Sequence, residues 1–305
     1  MVDGIGQADI RGIDIDKATR GFADEASVLR KLVMNSKTKA REIRWFQKTA
    51  GFLDSTDTTG ITLSMIALQT PGALPPVVGQ TWTRNTSYVK EFIVESELIS
   101  DADIKDNDVD VFGTTLRDLI RGVNNQVDIR IYSVLIEAAA ATPTTPAPSN
   151  TLTTAATADG WDDAVTGDPI RDIMTGNRKL RAQGIIIDTN SKPILYINPI
   201  EHENLVLYIM SVKGSSWPGF SSNLLATGAI MEILSNDVVV SQNATTDNAL
   251  QFMPGLSCVW KEFTPLQSAI IDEKLVGKKI RVRAEGEALL VFPKSVHQIT
   301  NTAIA

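Results

Sequence analysis

An α+β architecture organised around one long helix is what this sequence predicts, and three observations predict it. Phe112, Leu116, Leu119, Ile120, Val123, Val127, Ile131, Val134 and Leu135 keep a single apolar stripe at three- and four-residue spacing. The pattern extends for about 28 residues, roughly 40 Å, where globular helices average about 11–12, so it reads as a spine laid across a sheet or another helix. A helix–strand–helix succession follows in DPIRDIMTGNRKLRAQG and PILYINPIEHENLVLYI. Short strands separated by turns then fill the C-terminal third, which makes the class α+β.

In chain order, the sequence ahead of Asp24 is polar, Gly-containing and aperiodic, and reads as an extended arm. From Asp24 the spacing turns helical through Val28, Leu29, Leu32 and Val33. The basic stretch Lys37–Lys48, with Ile43, Trp45 and Phe46 interleaved, reads as an amphipathic arm helix. Its cations are either solvated or in contact with a neighbouring acidic chain or nucleic acid. Between Gly51 and Gly79, STDTTGITL and TPGALPPVVG lack any period and read as irregular or extended chain. TWTRNTSYVKEFIVESELIS then alternates, with Tyr88, Phe92 and Val94 on one face and Val89, Glu91, Ile93 and Glu95 on the other. Both faces are mixed, which suits a protruding hairpin with partners on two sides.

SDADIKDND offers N-caps to the long helix, and the prolines of AAAATPTTPAPSN stop it. The Thr/Ala/Pro-rich stretch 142–167 reads as a hinge or boundary. Asp168 and Pro169 open a second helix as N-cap and first residue. Ile170, Ile173, Met174 and Leu180 are its expected buried stripe, with Gly184 at its C-terminal cap. GIIID, a turn at TNSK and the strand PILYI lead to Asn198–Pro199, another helix start. AIMEIL, DVVVSQ, LQFM and CVWKEF read as short strands. In the closing RVRAEGEALLVFPKSVHQIT, Ile280, Val282 and Ala284 alternate with charged residues. The chain is expected to turn at Glu285–Gly286–Glu287 and return through Ala288–Val291 as a hairpin or bent pair.

Composition narrows function by exclusion. Among 305 residues, 29 are Lys or Arg and 36 are Asp or Glu, a net charge of −7 and a poor match to a sequence-specific DNA reader. One cysteine, Cys258, excludes an internal disulfide framework and a Cys-cluster metal site. No apolar run reaches the roughly 18 residues of a membrane span, and no secretory signal opens the chain. Phosphate loops, dinucleotide fingerprints and nucleophile elbows are all missing, and GSSWPG at 214–219 reads as a flexible loop. His202, between Glu201 and Glu203, has no second ligand at metal spacing, and neither does His297. Asp101, Asp103, Asp106, Asp108 and Asp110 lack the Gly and Glu of a calcium loop and stand where anions favour the following helix dipole. No catalytic, metal or cofactor residue is assigned, and the chain is expected not to be an enzyme.

The order arm, β excursion, spine helix, α+β region and β return resembles the major capsid proteins of tailed double-stranded-DNA phages, the Hong Kong 97-type fold. TSYVKEFIVESELISDADI leading into FGTTLRDLIRGVNNQVDIRIYSVLIEAA carries the likeness, with the helix–strand–helix segment and the closing strands. The resemblance implies an N-terminal arm and helix over residues 1–51, an E-loop hairpin over 52–98 and a peripheral domain with the spine helix over 99–164. It further implies an axial α+β domain over 165–278 and C-terminal strands over 279–305 returning to the peripheral domain. Copies would assemble as pentamers and hexamers into an icosahedral virion shell around double-stranded DNA, held by non-specific contact. The other implied partners are a portal, a decoration protein, and a separate scaffolding protein or none, with assembly in the host cytoplasm and no membrane. Intersubunit contacts are then expected at Trp45, Phe46, Trp82, Tyr88, Lys90, Phe92 and Glu95. Lys90 also invites comparison with members that cross-link through a Lys–Asn isopeptide bond, but nothing fixes its Asn partner. An encapsulin-type compartment around an enzyme cargo is the alternative within the fold. An α/β enzyme with an unrecognised site, or a tail or connector protein, are alternatives outside it.

Overall fold

The computed structural model describes residues 28–48, 72, 82–101, 111–137, 151–156, 160–163, 166–188, 190–211, 230–274 and 276–303. The arm ahead of Val28, most of 49–81, the acidic cluster from Asp103 to Asp110 and the GSSWPG loop lie outside these residues.

The first described elements are α1 (Leu29–Leu32) and β1 (Met34–Lys37). β2 (Glu42–Lys48) follows. The helix expected over Lys37–Lys48 is therefore corrected to extended chain. The stretch reads Glu42-Ile43-Arg44-Trp45-Phe46, and β-branched and aromatic residues alternating with charged ones pack better on a pleated ribbon than on a helix. β2 pairs antiparallel with β3 (Trp82–Tyr88), from Glu42 opposite Tyr88 to Lys48 opposite Trp82, and residues 49–81 connect the two strands.

The alternating run after Trp82 breaks at Val89. Its second half is β4 (Lys90–Glu95), followed by β5 (Ile99–Ser100). The long helix is α2 (Val111–Leu135), and its expected stripe divides between two parts of the core. Val123, with Phe112, Leu116, Leu119 and Ile120, packs against Ile280, Val282 and Ala284. Val127, Ile131 and Leu135 join Leu29, Val33, Trp260, Ala288 and Leu290.

β6 (Leu152–Ala155) precedes α3 (Pro169–Ala182), where Asp168 caps as expected by accepting from the Arg171 amide at 3.1 Å. Ile170, Ile173 and Leu180 are buried, but Met174 is 55% exposed, a correction to the expected stripe. Gly184 ends the turn with φ +78°, a conformation that glycine adopts without a Cβ penalty. β7 (Ile194–Ile197) and α4 (Pro199–Ser211) follow, with Asn198 accepting from the Ile200 amide at 3.1 Å.

β8 (Glu232–Ile233), β9 (Asn236–Val240) and β10 (Asn248–Phe252) lead to β11 (Cys258–Glu273) and β12 (Gly277–Leu290), and β13 (Val296–Thr300) ends the series. The turn expected at Glu285–Gly286–Glu287 does not occur. β12 runs straight through it, paired with β11 from Glu273↔Gly277 to Cys258↔Leu290, and the bulges lie on the β11 side between Glu262 and Gln267. The acidic run reads as a turn in isolation, yet both glutamates are buried with partners, and Gly286 is where the Trp260 ring lies against the backbone.

Three sheets result. One has the order β1-β11-β12-β4, with β5 also on β12; the second runs β6-β13-β10-β7-β9-β8; the third is the β2–β3 ribbon. The sheets interleave along the chain, because β6 and β13 pair with each other inside the second sheet while β11 belongs to the first. α2 lies across the first sheet, and α3 and α4 supply Ile170, Ile173, Leu205, Tyr208 and Ile209 to the core of the second.

Candidate intersubunit surface

The ribbon's register sorts its side chains into two faces, since successive residues of a strand point to opposite sides. Ile43, Trp45, Asn85 and Ser87 share one face; Glu42, Arg44, Phe46, Arg84, Thr86 and Tyr88 share the other. The first face turns inward. Ile43 is buried, and the Trp45 indole N–H donates to the Leu290 carbonyl at 3.2 Å, which pins β2 to the end of β12. The second face is open: Phe46 is 58% and Tyr88 59% exposed, with Arg84 exposed opposite Phe46. Arg44 there pairs with Glu42 at 2.6 Å.

The ribbon's root is held by charge. Arg41 lies 5.3 Å over the Phe263 ring and 3.8 Å from Glu285, and its carbonyl accepts from the Val89 amide at 2.9 Å. Glu285 is buried; a hydrogen bond from the Thr264 hydroxyl and then the Arg283 guanidinium hold its carboxyl below the usual range. Arg283 also meets Glu91 of β4 at 2.8 Å, and Arg281 meets Glu95 at 2.6 Å, so the face of the first sheet away from α2 carries a ladder of ion pairs. Of these, Glu95 is expected from the sequence as a contact residue, whereas the links of Arg281 to Glu95, Arg283 to Glu91 and Arg41 to Glu285 are not, because each joins segments far apart in the chain.

The seven expected contact residues therefore fall in different settings. Phe46 and Tyr88 come together on the ribbon's open face, and Trp45 turns to its own subunit. Trp82 pairs with Lys48 in the ladder, and its side chain lies outside the described ones. Lys90 is exposed opposite Gly286, and Glu95 is taken by Arg281. Phe92 faces inward, its ring 6.2 Å from that of Trp260. Beside it, the strand edge of β4 and the exposed side of α2 enclose a groove of about 480 Å³, lined by Phe92, Val94, Leu119 and Val123 with Glu91 and Asp118 among its polar residues.

The remaining titratable candidates serve the interior. His297 is fully buried: its Nδ1–H donates to Gln251 Oε1 at 2.9 Å, and Nε2 accepts from Thr154 at 2.9 Å, with Lys179 donating to the same hydroxyl at 2.6 Å. Burial, helped by Lys179, pushes its pKa down to about 3. His202 accepts from the Ile230 amide at 3.3 Å, and burial lowers its pKa too. Burial pushes the Cys258 thiol up to about 12, which leaves it without thiolate character at neutral pH. Glu287 receives Arg130 at 2.9 Å on Oε1, and burial raises its pKa. Among the described residues no group of three His, Cys, Asp or Glu side chains is placed to hold a metal, and no helix is long and apolar enough to cross a membrane.

Comparison with known proteins bears on this arrangement. The model of a family described as phage capsid protein matches residues 76–277, well over half of the chain. No curated protein sequence matches it. Among solved structures, the capsid of the cyanophage P-SCSP1u superposes with a TM-score of 0.65 at 12% identity, covering 95% of this chain and 94% of that one. The capsid of a native GTA particle gives 0.65 at 12% identity, covering 98% and 99%. A structure from Mycobacterium phage Che8 gives 0.60 at 16% identity, covering 94% and 100%. Likeness at such low identity speaks to the fold alone, and the family match supplies the rest: this chain belongs to the phage capsid protein family and carries the Hong Kong 97-type fold of major capsid proteins.

Proposed function

We propose that copies of this chain assemble as pentamers and hexamers into an icosahedral shell that encloses a double-stranded DNA genome. The observation that carries this reading is the β2–β3 ribbon, which has one face pinned to its own subunit and the other exposing Phe46, Tyr88 and Arg84 in a member of a capsid family. Exposed aromatic surface beside a cation has the composition of the core of a protein–protein interface. A shell needs many such contacts at once, each individually modest, so that linkage within the lattice supplies the stability.

In this reading the ribbon and the 49–81 segment act as the E-loop over a neighbouring subunit. The first sheet and α2 form the peripheral body, and the second sheet with α3 and α4 forms the axial body that meets its copies at the symmetry axes. Portal, decoration and scaffolding proteins would be further partners, and contact with DNA would be non-specific. The role is structural, and contact with DNA phosphates would carry no sequence readout.

Negative-stain microscopy of the recombinant chain tests the reading, with closed shells of uniform size expected. Nuclease-protected DNA in shells purified from a productive infection supports a viral container. An enzyme co-purifying inside them would favour the encapsulin-type compartment, tubes would favour a tail or connector protein, and a stable monomer would overturn the proposal.

A further inference from the structure

The turn between β9 and β10, residues 241–247, is held from three other parts of the chain. From α2, Asn125 accepts from the side-chain amide of Asn243, and the Tyr132 hydroxyl accepts from the Thr245 amide at 3.1 Å. From the start of α4, the Asn198 side-chain amide donates to the Ala244 carbonyl at 2.8 Å, and Glu201 Oε1 accepts from the Asp247 amide at 2.7 Å. From the C-terminal end, the Ala303 amide donates to the Asp247 carboxylate at 3.1 Å and the Thr302 hydroxyl to the same Glu201 oxygen at 3.4 Å. The Thr302 carbonyl in turn accepts from the Trp161 amide at 2.7 Å. Tyr132, Trp161, Glu201, Ala244 and Thr302 are all buried. A buried carboxylate is costly, and Glu201 lies in the first turn of α4, where the helix dipole favours an anion.

We infer that the 241–247 turn and the Thr302–Ala303 segment form a latch that fixes α4 and the second sheet to α2, so that the subunit turns as one rigid unit with no hinge between its sheets. The inference goes beyond the shell reading and does not depend on it. The apolar core runs through the same junction. Tyr196, Leu250 and Phe252 of the second sheet pack with Trp260, Ala288 and Leu290 of the first and with Val127, Ile131 and Leu135 of α2. The two connections that carry the chain from β10 to β11 and from β12 to β13 are clasped to each other, the buried Ser295 hydroxyl donating to Ser257 Oγ at 2.7 Å. The described part of the stretch expected as a hinge is bound as well, through β6 on β13 and Trp161 on Thr302. A displacement of α4 is therefore passed to α2 through Glu201 and the turn, because buried hydrogen bonds of this kind open only at a cost.

Hydrogen exchange of full-length subunits, read by mass spectrometry, tests the latch from both ends. Asn125→Ala with Tyr132→Phe should speed exchange at the far end, in segments 160–163 and 302–303, by roughly fivefold or more. Removing residues 302–305 should do the same at the α2 end, for the segment around Thr245. Should the shortened chain fail to fold, Thr302→Val with Ala303→Pro takes away the hydroxyl and the amide that reach Glu201 and Asp247. In the native chain the core amides of β10 and β12 should exchange through one common opening. Variants whose effects stay at their own end would overturn the latch, and so would β10 opening independently of β12 in the native chain. These readings concern the subunit alone, so they stand whether or not it forms shells.

Discussion

Two buried polar residues, His297 and Glu287, decide how this subunit responds to acid. His297 is held neutral to about pH 3, whereas an unfolded chain protonates it near its ordinary value of 6.5. The folded pKa is depressed, so the stability it represents is present above about pH 6.5 and is lost as pH falls, by about 3 kcal/mol at about pH 4. Glu287 runs the other way: its folded pKa is raised, so its contribution is complete below the unfolded value and is lost as pH rises through the folded one. Urea unfolding from pH 7 to about 4 should therefore show a stability slope that His297→Gln flattens; an equal slope in the variant would refute the assignment.

Arg130 meets the same Glu287 from α2. Removing Arg130 strands a buried carboxylate, so Arg130→Ala should cost about 3 kcal/mol, while replacing both partners by methionine should cost much less. A double-mutant cycle on unfolding free energies checks the difference.

At the scale of elements, α1 is too short to stand alone, since a single turn is far below the length at which helices persist in water. What holds it is Asp128 of α2, whose carboxylate accepts from the amides of Val28 at 2.6 Å, Leu29 at 3.1 Å and Arg30 at 3.0 Å. Asp128→Ala should cost about 2 kcal/mol and release these amides to fast hydrogen exchange, with Asp128→Asn intermediate.

Local signals made α2, α3 and α4 legible in advance: a sustained 3.6-residue stripe, and Asp168–Pro169 and Asn198–Pro199 as caps. β2 alone was misread, as helix, because Lys37–Lys48 is short and basic, and its alternation becomes decisive only once β3, legible as a strand, is found across the connection. The Glu285–Gly286–Glu287 turn failed for a related reason. Two glutamates beside a glycine suit a surface turn unless partners converge on them: Arg283 is close by on β12, but Arg41, Thr264 and Arg130 come from three other parts of the chain.

For the whole molecule, folding and association use different residues. Phe46 and Tyr88 contribute little to the subunit's own core, being more than half exposed. Phe46→Asp with Tyr88→Asp should shift the subunit's unfolding free energy by no more than about 0.5 kcal/mol yet prevent shell formation. Circular dichroism melts alongside size-exclusion chromatography would read both quantities, and shells formed normally by the double variant would exclude the ribbon from the interface.

The amino-acid order by itself determined the α+β class, the spine helix, the capped helices and the lack of catalytic motifs, because each rests on near-neighbour spacing or on residue type. Tertiary structure alone decided which face of the ribbon is open, that β12 continues through two buried glutamates, and that β4 ends a sheet beside a groove floored by Phe92, Val94 and Leu119. Those outcomes depend on which distant segments pair, and pairing between strands is settled by burial and charge neutralisation over the whole chain, which no local window contains.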